Sequence, residues 1–193
     1  ANVKICVDCG IEKVFLINHS ISSDELLHLP IIVRDKFPRL WIGINMLGEK
    51  LGNRLAITYV AISALWVDET ISQKEYIHWL RGENGHIKLF SGLAFKYQPQ
   101  PADLKQASEH AILTSDVATT SGAGTGKSAP LTKIKTIREG LGGHPMAIAS
   151  GVSIDNISDY NGIANYLLVA TSITDNDEMI IKEKLKALIA KIK

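Results

Sequence analysis

The chain has 193 residues, 46% of them apolar and 21% charged, with a formal net charge of +1. This is enough apolar material for one domain with a real core, and the charge balance gives no reason to expect nucleic acid or an anionic membrane as partner. No apolar run approaches the ~20 residues that span a bilayer, and the opening residues lack the basic-then-apolar order of a signal peptide, so a cytoplasmic protein without membrane insertion is expected.

The first segment pairs Cys6 with Cys9. No second C-x-x-C and no neighbouring His pair completes a metal site. Val3, Cys6 and Val7 have the spacing of a helix's buried face, and Gly10 is placed to end that helix, so two buried core thiols are expected. Residues 13–18 then form a short apolar run read as a strand. A helix should begin at Ser23 or Asp24, with Glu25 in its first turn. Residues 40–45 are the second strand and 50–61 a helix. Residues 63–67 are the third strand, followed by a helix at 73–81 that ends near Gly82. The fourth strand is 88–95, then a helix at 102–113. The fifth strand is 116–120, followed by a helix at 131–141 that opens after Pro130 and stops at Gly142 and Gly143. The sixth strand is 146–150, with a helix from Ser153 to Tyr160. The seventh is 166–170, and a helix at 177–192 closes the chain.

Short apolar runs without a polar face alternate here with segments of helical period, which is the pattern of a parallel sheet in an α/β fold. Seven strand–helix units in uniform order, with the chain opening inside a helix, predict a (β/α)8 TIM-type barrel lacking its first strand, as one domain over 1–193. Such a barrel exposes two edges of unpaired backbone groups. An absent segment, pairing of edges in a homo-oligomer, or a neighbouring element filling the gap would each answer this. The start at Ala1, in mid-helix without a cap, favours the first.

The most conspicuous motif is the glycine-rich run from Ser121 to Ser128. Gly126-Lys127-Ser128 resembles the end of a Walker A loop. The glycine that should stand five positions before Gly126 is replaced by Ser121, and Ala129 and Pro130 separate Lys127-Ser128 from the following helix. A loop at the C-terminal face of a barrel fits better, with Ser121, Gly122, Gly124, Thr125, Gly126 and Lys127 offering free amides and a cation to a ligand anion.

The order of residues resembles the BtpA/SgcQ family along nearly the whole chain. The matching stretches are Gly10 to Asn18, Ile42 to Leu47, Thr119 to Gly122 with Thr125-Gly126-Lys127, Ser150-Gly151-Val152 with Asp155-Asn156, and Val169 to Ser172. The resemblance implies a phosphate-binding (β/α)8 barrel, in a family whose name refers to biogenesis of membrane photosystem complexes. Ala149 and Ala170 stand where the family pattern has Gly, and a methyl group there would crowd a phosphate. The run Phe95-Lys96-Tyr97-Gln98 also differs from the family's Lys-His type of ending.

In such barrels the ligand sits where the strands end, and phosphate favours the loops after the last two strands. Ser150, Gly151, Val152, Thr171 and Ser172 are therefore the expected phosphate-binding residues, helped by the amides of a helix starting near Ser153. Polar residues that follow apolar runs are the catalytic candidates. Asp68 suits a general acid or base. Lys96 suits an electrostatic anchor, or a Schiff-base nucleophile if apolar walls depress its pKa. Asn18 and Asn45 suit substrate orientation. Of the six histidines, His19 alone falls at the expected mouth; no metal site and no cofactor are expected. The leading expectation is an enzyme of the isomerase, aldolase or synthase sort acting on a phosphorylated small molecule. A non-catalytic assembly factor for a membrane photosystem complex is the second, and a P-loop nucleotidase the third.

Overall fold

A computed structural model describes residues 1–47, 62–81 and 86–192, with the backbone alone for 80 and 81. The helix expected at 50–61 lies outside the described residues. The elements run α1 (Asn2–Asp8), β1 (Lys13–Ile17), α2 (Ser23–Lys36), β2 (Trp41–Asn45), β3 (Ala64–Val67), α3 (Gln73–Arg81), β4 (Lys88–Gly92), α4 (Leu104–Ala111), β5 (Val117–Ser121), α5 (Leu131–Leu141), β6 (Met146–Ala149), β7 (Tyr166–Leu168) and α6 (Lys182–Ile189).

The strands form a seven-stranded sheet in chain order, each parallel to the next. All strand C-termini therefore lie on one face. This is the α/β, (β/α)8-type architecture that the alternation predicts. Among the described residues β1 and β7 each pair on one side only. The Lys13 ammonium nevertheless lies 5.2 Å from the centre of the Tyr166 ring.

Period-two alternation sorts the side chains into two layers. One face of the sheet encloses Phe15, Ile17, Trp41, Ala64, Trp66, Phe90, Val117, Ala147, Ala149, Tyr166 and Leu168. The other carries Ile42, Ile44, Leu65, Val67 and Leu89 toward the early helices, and Ala118, Met146 and Ile148 toward the later ones. The enclosed layer is aromatic. Phe15 meets Trp41, Trp66 and Phe90 edge-on, at 5.4, 5.7 and 5.1 Å between ring centres. Such contacts add about 0.5–1.5 kcal/mol each beyond area burial. Gly43 makes room for them, since a Cβ there would stand 2.4 Å from Phe15 Cε1. Phe95 lies edge-on to Trp66 at 5.9 Å. The interior is thus a packed core, and a ligand must sit at its mouth.

Some helix starts are set by side-chain caps. Ser22, rather than Ser23 or Asp24, caps α2: its hydroxyl accepts from the Glu25 amide, and the Glu25 carboxylate accepts from the Ser22 amide. Asp103 caps α4 by accepting from the Gln106 amide. Gly142, at φ 54°, ends α5. Cys6 and Cys9 are free and half-buried against the outer core, where full burial was expected, and burial pushes the Cys6 thiol pKa up.

Three segments depart from expectation. Strand β4 ends at Gly92 and not at residue 95: Ala94 takes φ 48°, so the apolar run continues as a loop. No α-helix starts at Ser153; a short 3-10 turn, Ile157–Tyr160, stands there instead. The last helix begins at Lys182 and not near 177, because the preceding residues close on themselves through an antiparallel bridge between Thr174 and Ile180.

Candidate functional site

The loops after β6 and β7 build the first part of the site. Ser150 and Gly151 are both left-handed, at φ 63° and 66°, which turns the chain sharply as it leaves the sheet. Asn156 then closes the loop. Its Nδ2 donates to the Gly151 carbonyl at 2.7 Å, and its Oδ1 accepts from the Ser153 amide at 2.9 Å. Its hold on the Ser153 amide takes that donor out of anion binding. The Ser153 carbonyl still accepts from the Ile157 amide at 2.9 Å, a single helical turn that passes into the 3-10 turn and is too short to carry a helix dipole. The Ser172 hydroxyl donates to the Val152 carbonyl at 2.7 Å and ties the two loops together. Among the described residues, the amides of Gly151 and Val152 donate to no acceptor. Thr171 is exposed beside them, and Ala149 is buried in the interior layer.

The glycine-rich loop after β5 lies on this pair. A Cβ on Gly151 would stand 2.1 Å from the Ser128 nitrogen, so the two backbones touch. The loop is closed on itself: Lys127 N donates to Gly124 O at 3.1 Å, and a Cβ on Gly122 would stand 1.9 Å from the Lys127 carbonyl oxygen. Lys127-Ser128 opens no helix, since α5 starts at Leu131 after Pro130.

The loop after β4 meets the same run from the other side. The Lys96 amide donates to Ser121 Oγ at 2.8 Å, and Lys96 Nζ donates to Thr125 Oγ1 at 3.0 Å. Lys96 is part-exposed, with its ammonium over the Phe95 and Tyr97 rings. Its surroundings suit an electrostatic anchor. Tyr97 Oη accepts from the Thr125 amide at 3.4 Å. The Thr125 hydrogen bonds, and then the charges of Lys96 and Lys127, hold the Tyr97 phenol below its usual pKa.

Asn45 and Asp68 meet on the adjoining strands. Asn45 is buried, and its Nδ2 donates to Asp68 Oδ1 at 3.2 Å. The Asp68 backbone is pressed against β4, where a Cβ on Gly92 would stand 1.8 Å from the Asp68 carbonyl oxygen. Asn18 stands apart from this pair. Its Oδ1 accepts from the Leu47 amide at 2.6 Å, and its Nδ2 donates to Ser23 Oγ and the Leu47 carbonyl. It braces the loop after β2. His19 lies on the surface, with Nδ1 2.5 Å from Glu178 Oε1. Among the described residues, no three His, Cys, Asp or Glu side chains group to hold a metal ion.

Two residues escaped the sequence reading. Lys133, on α5, sends Nζ to the carbonyls of Ala94 and Ser121 at 2.6 and 2.7 Å, joining the exits of β4 and β5. Burial lowers its pKa. Its signal was positional: it directly precedes the buried Ile134 on α5. Thr119 faces the interior between Gly92 and Ala147, and its buried hydroxyl has no partner among the described residues. An interior-facing hydroxyl on an apolar strand was the available signal.

The fold and the convergence of loops define a TIM-barrel-like α/β protein with its polar groups at the C-terminal face. No family model matches the chain, and no curated protein matches it in sequence. Solved structures do. A phosphoribosyl anthranilate isomerase from Thermus thermophilus superposes with a TM-score of 0.73 at 13% identity, over 98% of this chain and 91% of that one. A protein described as native KDPGal gives 0.72 at 13% identity, over 98% and 85%. A thiamine phosphate pyrophosphorylase from Pyrococcus furiosus gives 0.69 at 10% identity, over 98% and 87%. At these identities the likeness establishes the barrel fold.

Proposed function

We propose that this chain is a phosphate-binding barrel protein of the BtpA type, and an enzyme acting on a phosphorylated small metabolite with isomerase, aldolase or synthase chemistry. One observation carries the reading. The loops after β6 and β7, joined by Ser172 and Val152, leave the amides of Gly151 and Val152 without acceptors at the barrel mouth. Backbone amides in that position suit a phosphate. Names such as phosphoribosyl anthranilate isomerase and thiamine phosphate pyrophosphorylase, among proteins of like fold, lend support.

In this reading Ser150, Gly151, Val152, Thr171 and Ser172 hold the phosphate, and Asp68 is the general acid or base. Asn45 fixes the Asp68 carboxylate through its 3.2 Å hydrogen bond, so a proton taken from substrate returns along the same path. Lys96 anchors negative charge, and no cofactor is invoked. Asn18 supports the mouth by bracing the loop after β2. A homo-oligomer belongs to the same reading.

The test is a thermal-shift screen of inorganic phosphate, phosphosugars, phosphoribosyl compounds and magnesium nucleotides, on wild type and Gly151→Val. The expected result is a phosphosugar-dependent rise in melting temperature that the variant loses. No shift with any phosphate compound, from folded protein, rejects the site. That outcome moves the assignment to the assembly-factor reading, which has its own observation in Ile31 and Ile32, exposed side by side on α2.

A further inference from the structure

The mouth carries two lysines whose side chains make no hydrogen bond to the loops after β6 and β7 among the described residues. Lys96, Tyr97, Thr125 and Lys127 form a second polar cluster beside the phosphate loops. Lys96 Nζ reaches Thr125 Oγ1 at 3.0 Å, and Tyr97 Oη receives the Thr125 amide at 3.4 Å. A Cβ on Gly124 would stand 3.4 Å from Tyr97 Oη and 3.7 Å from Lys127 Cδ, so the tyrosine and the lysine stem flank one glycine. The side-chain ion pairs of the described residues join Lys4 with Asp8 and His19 with Glu178, and involve neither Lys96 nor Lys127.

Two lysines without a carboxylate partner repel each other, and ordering their long side chains costs entropy. The fold nevertheless brings them together. The Lys96 amide is fixed on Ser121 Oγ, and Lys133 holds the Ser121 and Ala94 carbonyls from behind. Lys127 is chain neighbour to Ser128, whose nitrogen touches the Gly151 backbone. The cluster therefore adjoins the phosphate loops and can be spanned together with them by one small molecule.

We infer that the ligand of this mouth carries two anionic groups, a phosphate on the loops after β6 and β7 and a second anion, carboxylate or phosphate, held by Lys96 and Lys127 with Thr125 and Tyr97 beside it. This rests on the phosphate reading above and narrows the substrate class to phosphosugar acids or bisphosphates. Simple sugar phosphates would bind as partial ligands.

The test is calorimetric binding at low ionic strength, in matched pairs: glycerol phosphate against phosphoglycerate, and glucose phosphate against phosphogluconate and a hexose bisphosphate. Wild type is compared with the Lys96→Met/Lys127→Met double variant and with Lys127→Met alone, whose side chain makes no hydrogen bond among the described residues. A ligand with both anions should bind wild type about tenfold more tightly than its one-anion counterpart, the ratio one hydrogen bond to a charged group supplies. In the double variant one-anion and two-anion ligands should bind alike, whatever both lose from the missing charges. Added salt should shrink it. A preference for the sugar acid identifies the second anion as carboxylate, and a preference for the bisphosphate identifies it as phosphate. Equal affinity for one-anion and two-anion ligands in wild type overturns the inference and leaves the phosphate reading intact. Survival of the advantage in the double variant also overturns it. No binding of any phosphate compound to folded wild type overturns both.

Discussion

Replacing Gly151 with Ala tests whether the loops after β5 and β6 touch in solution. Two penalties are expected. The backbone at φ 66° costs a residue with a Cβ about 1–2 kcal/mol. The new methyl would also stand 2.1 Å from the Ser128 nitrogen and 2.2 Å from the Lys127 carbonyl carbon, whereas ordinary contact begins at 3.4 Å. Both neighbours are backbone atoms, so the loop itself must retreat by about 1 Å, and overpacking of this kind costs about 1–3 kcal/mol. Gly126→Ala isolates the first penalty, because Gly126 has φ 74° and nothing within 4 Å of its Cβ position. A domain of this size loses about 2–4 °C of melting temperature per kcal/mol. Gly151→Ala should therefore melt about 4–20 °C below wild type, and below Gly126→Ala by the overpacking share alone. Thermal denaturation followed by circular dichroism reads both. Equal losses in the two variants would refute the contact between the loops.

Lys133→Met removes two hydrogen bonds and leaves the Ala94 and Ser121 carbonyls without that donor, for a loss of about 1–3 kcal/mol in urea titrations. Burial depresses the Lys133 pKa, so the unfolded chain holds more protons in the alkaline range below 10.5. Wild type should accordingly gain on the variant as pH rises through that window, and a shrinking gap would contradict the assignment. Tyr76→Phe removes the 2.8 Å hydrogen bond from Tyr76 Oη to Asp116 Oδ1 and should cost about 1 kcal/mol near neutrality. Burial and then the Asp116 bond raise the Tyr76 pKa. Its contribution is present below pH 10.0 and lost as pH climbs above it, so the wild-type advantage should shrink there and vanish in strong alkali. An advantage that grew above pH 10.0 would contradict this account.

The fold was legible because its signals are local. Each parallel strand is a short run, largely buried in β2 to β6 and half-buried in β1 and β7, and all seven were visible from apolar patterning. The errors also have local causes. Residues 93–95 are as apolar as β4, yet Ala94 at φ 48° takes them out of the sheet. Ser153 is a good capping residue and its carbonyl accepts from the Ile157 amide, but the chain then tightens into a 3-10 turn that ends at Tyr160. Which residues follow the strand ends was legible, and how they are wired was not. Strand-end arithmetic brought Asn45 and Asp68 to one face, but gave Asn18 the same standing, whereas its amide side chain is engaged with the Leu47 backbone. The contact of Gly151 with Ser128 joins two loops from different strand–helix units, and nothing in either segment announces it. Lys133 was not singled out, because helical period cannot show which lysines turn inward to backbone carbonyls.

The central claim is that phosphate sits on the backbone of the loops after β6 and β7. An amide-resolved NMR titration of the 15N-labelled protein with glycerol phosphate tests it most directly. The account predicts saturable shifts concentrated at the amides of Gly151, Val152, Thr171 and Ser172. Shifts confined to residues 122–128, or none at all, would contradict it.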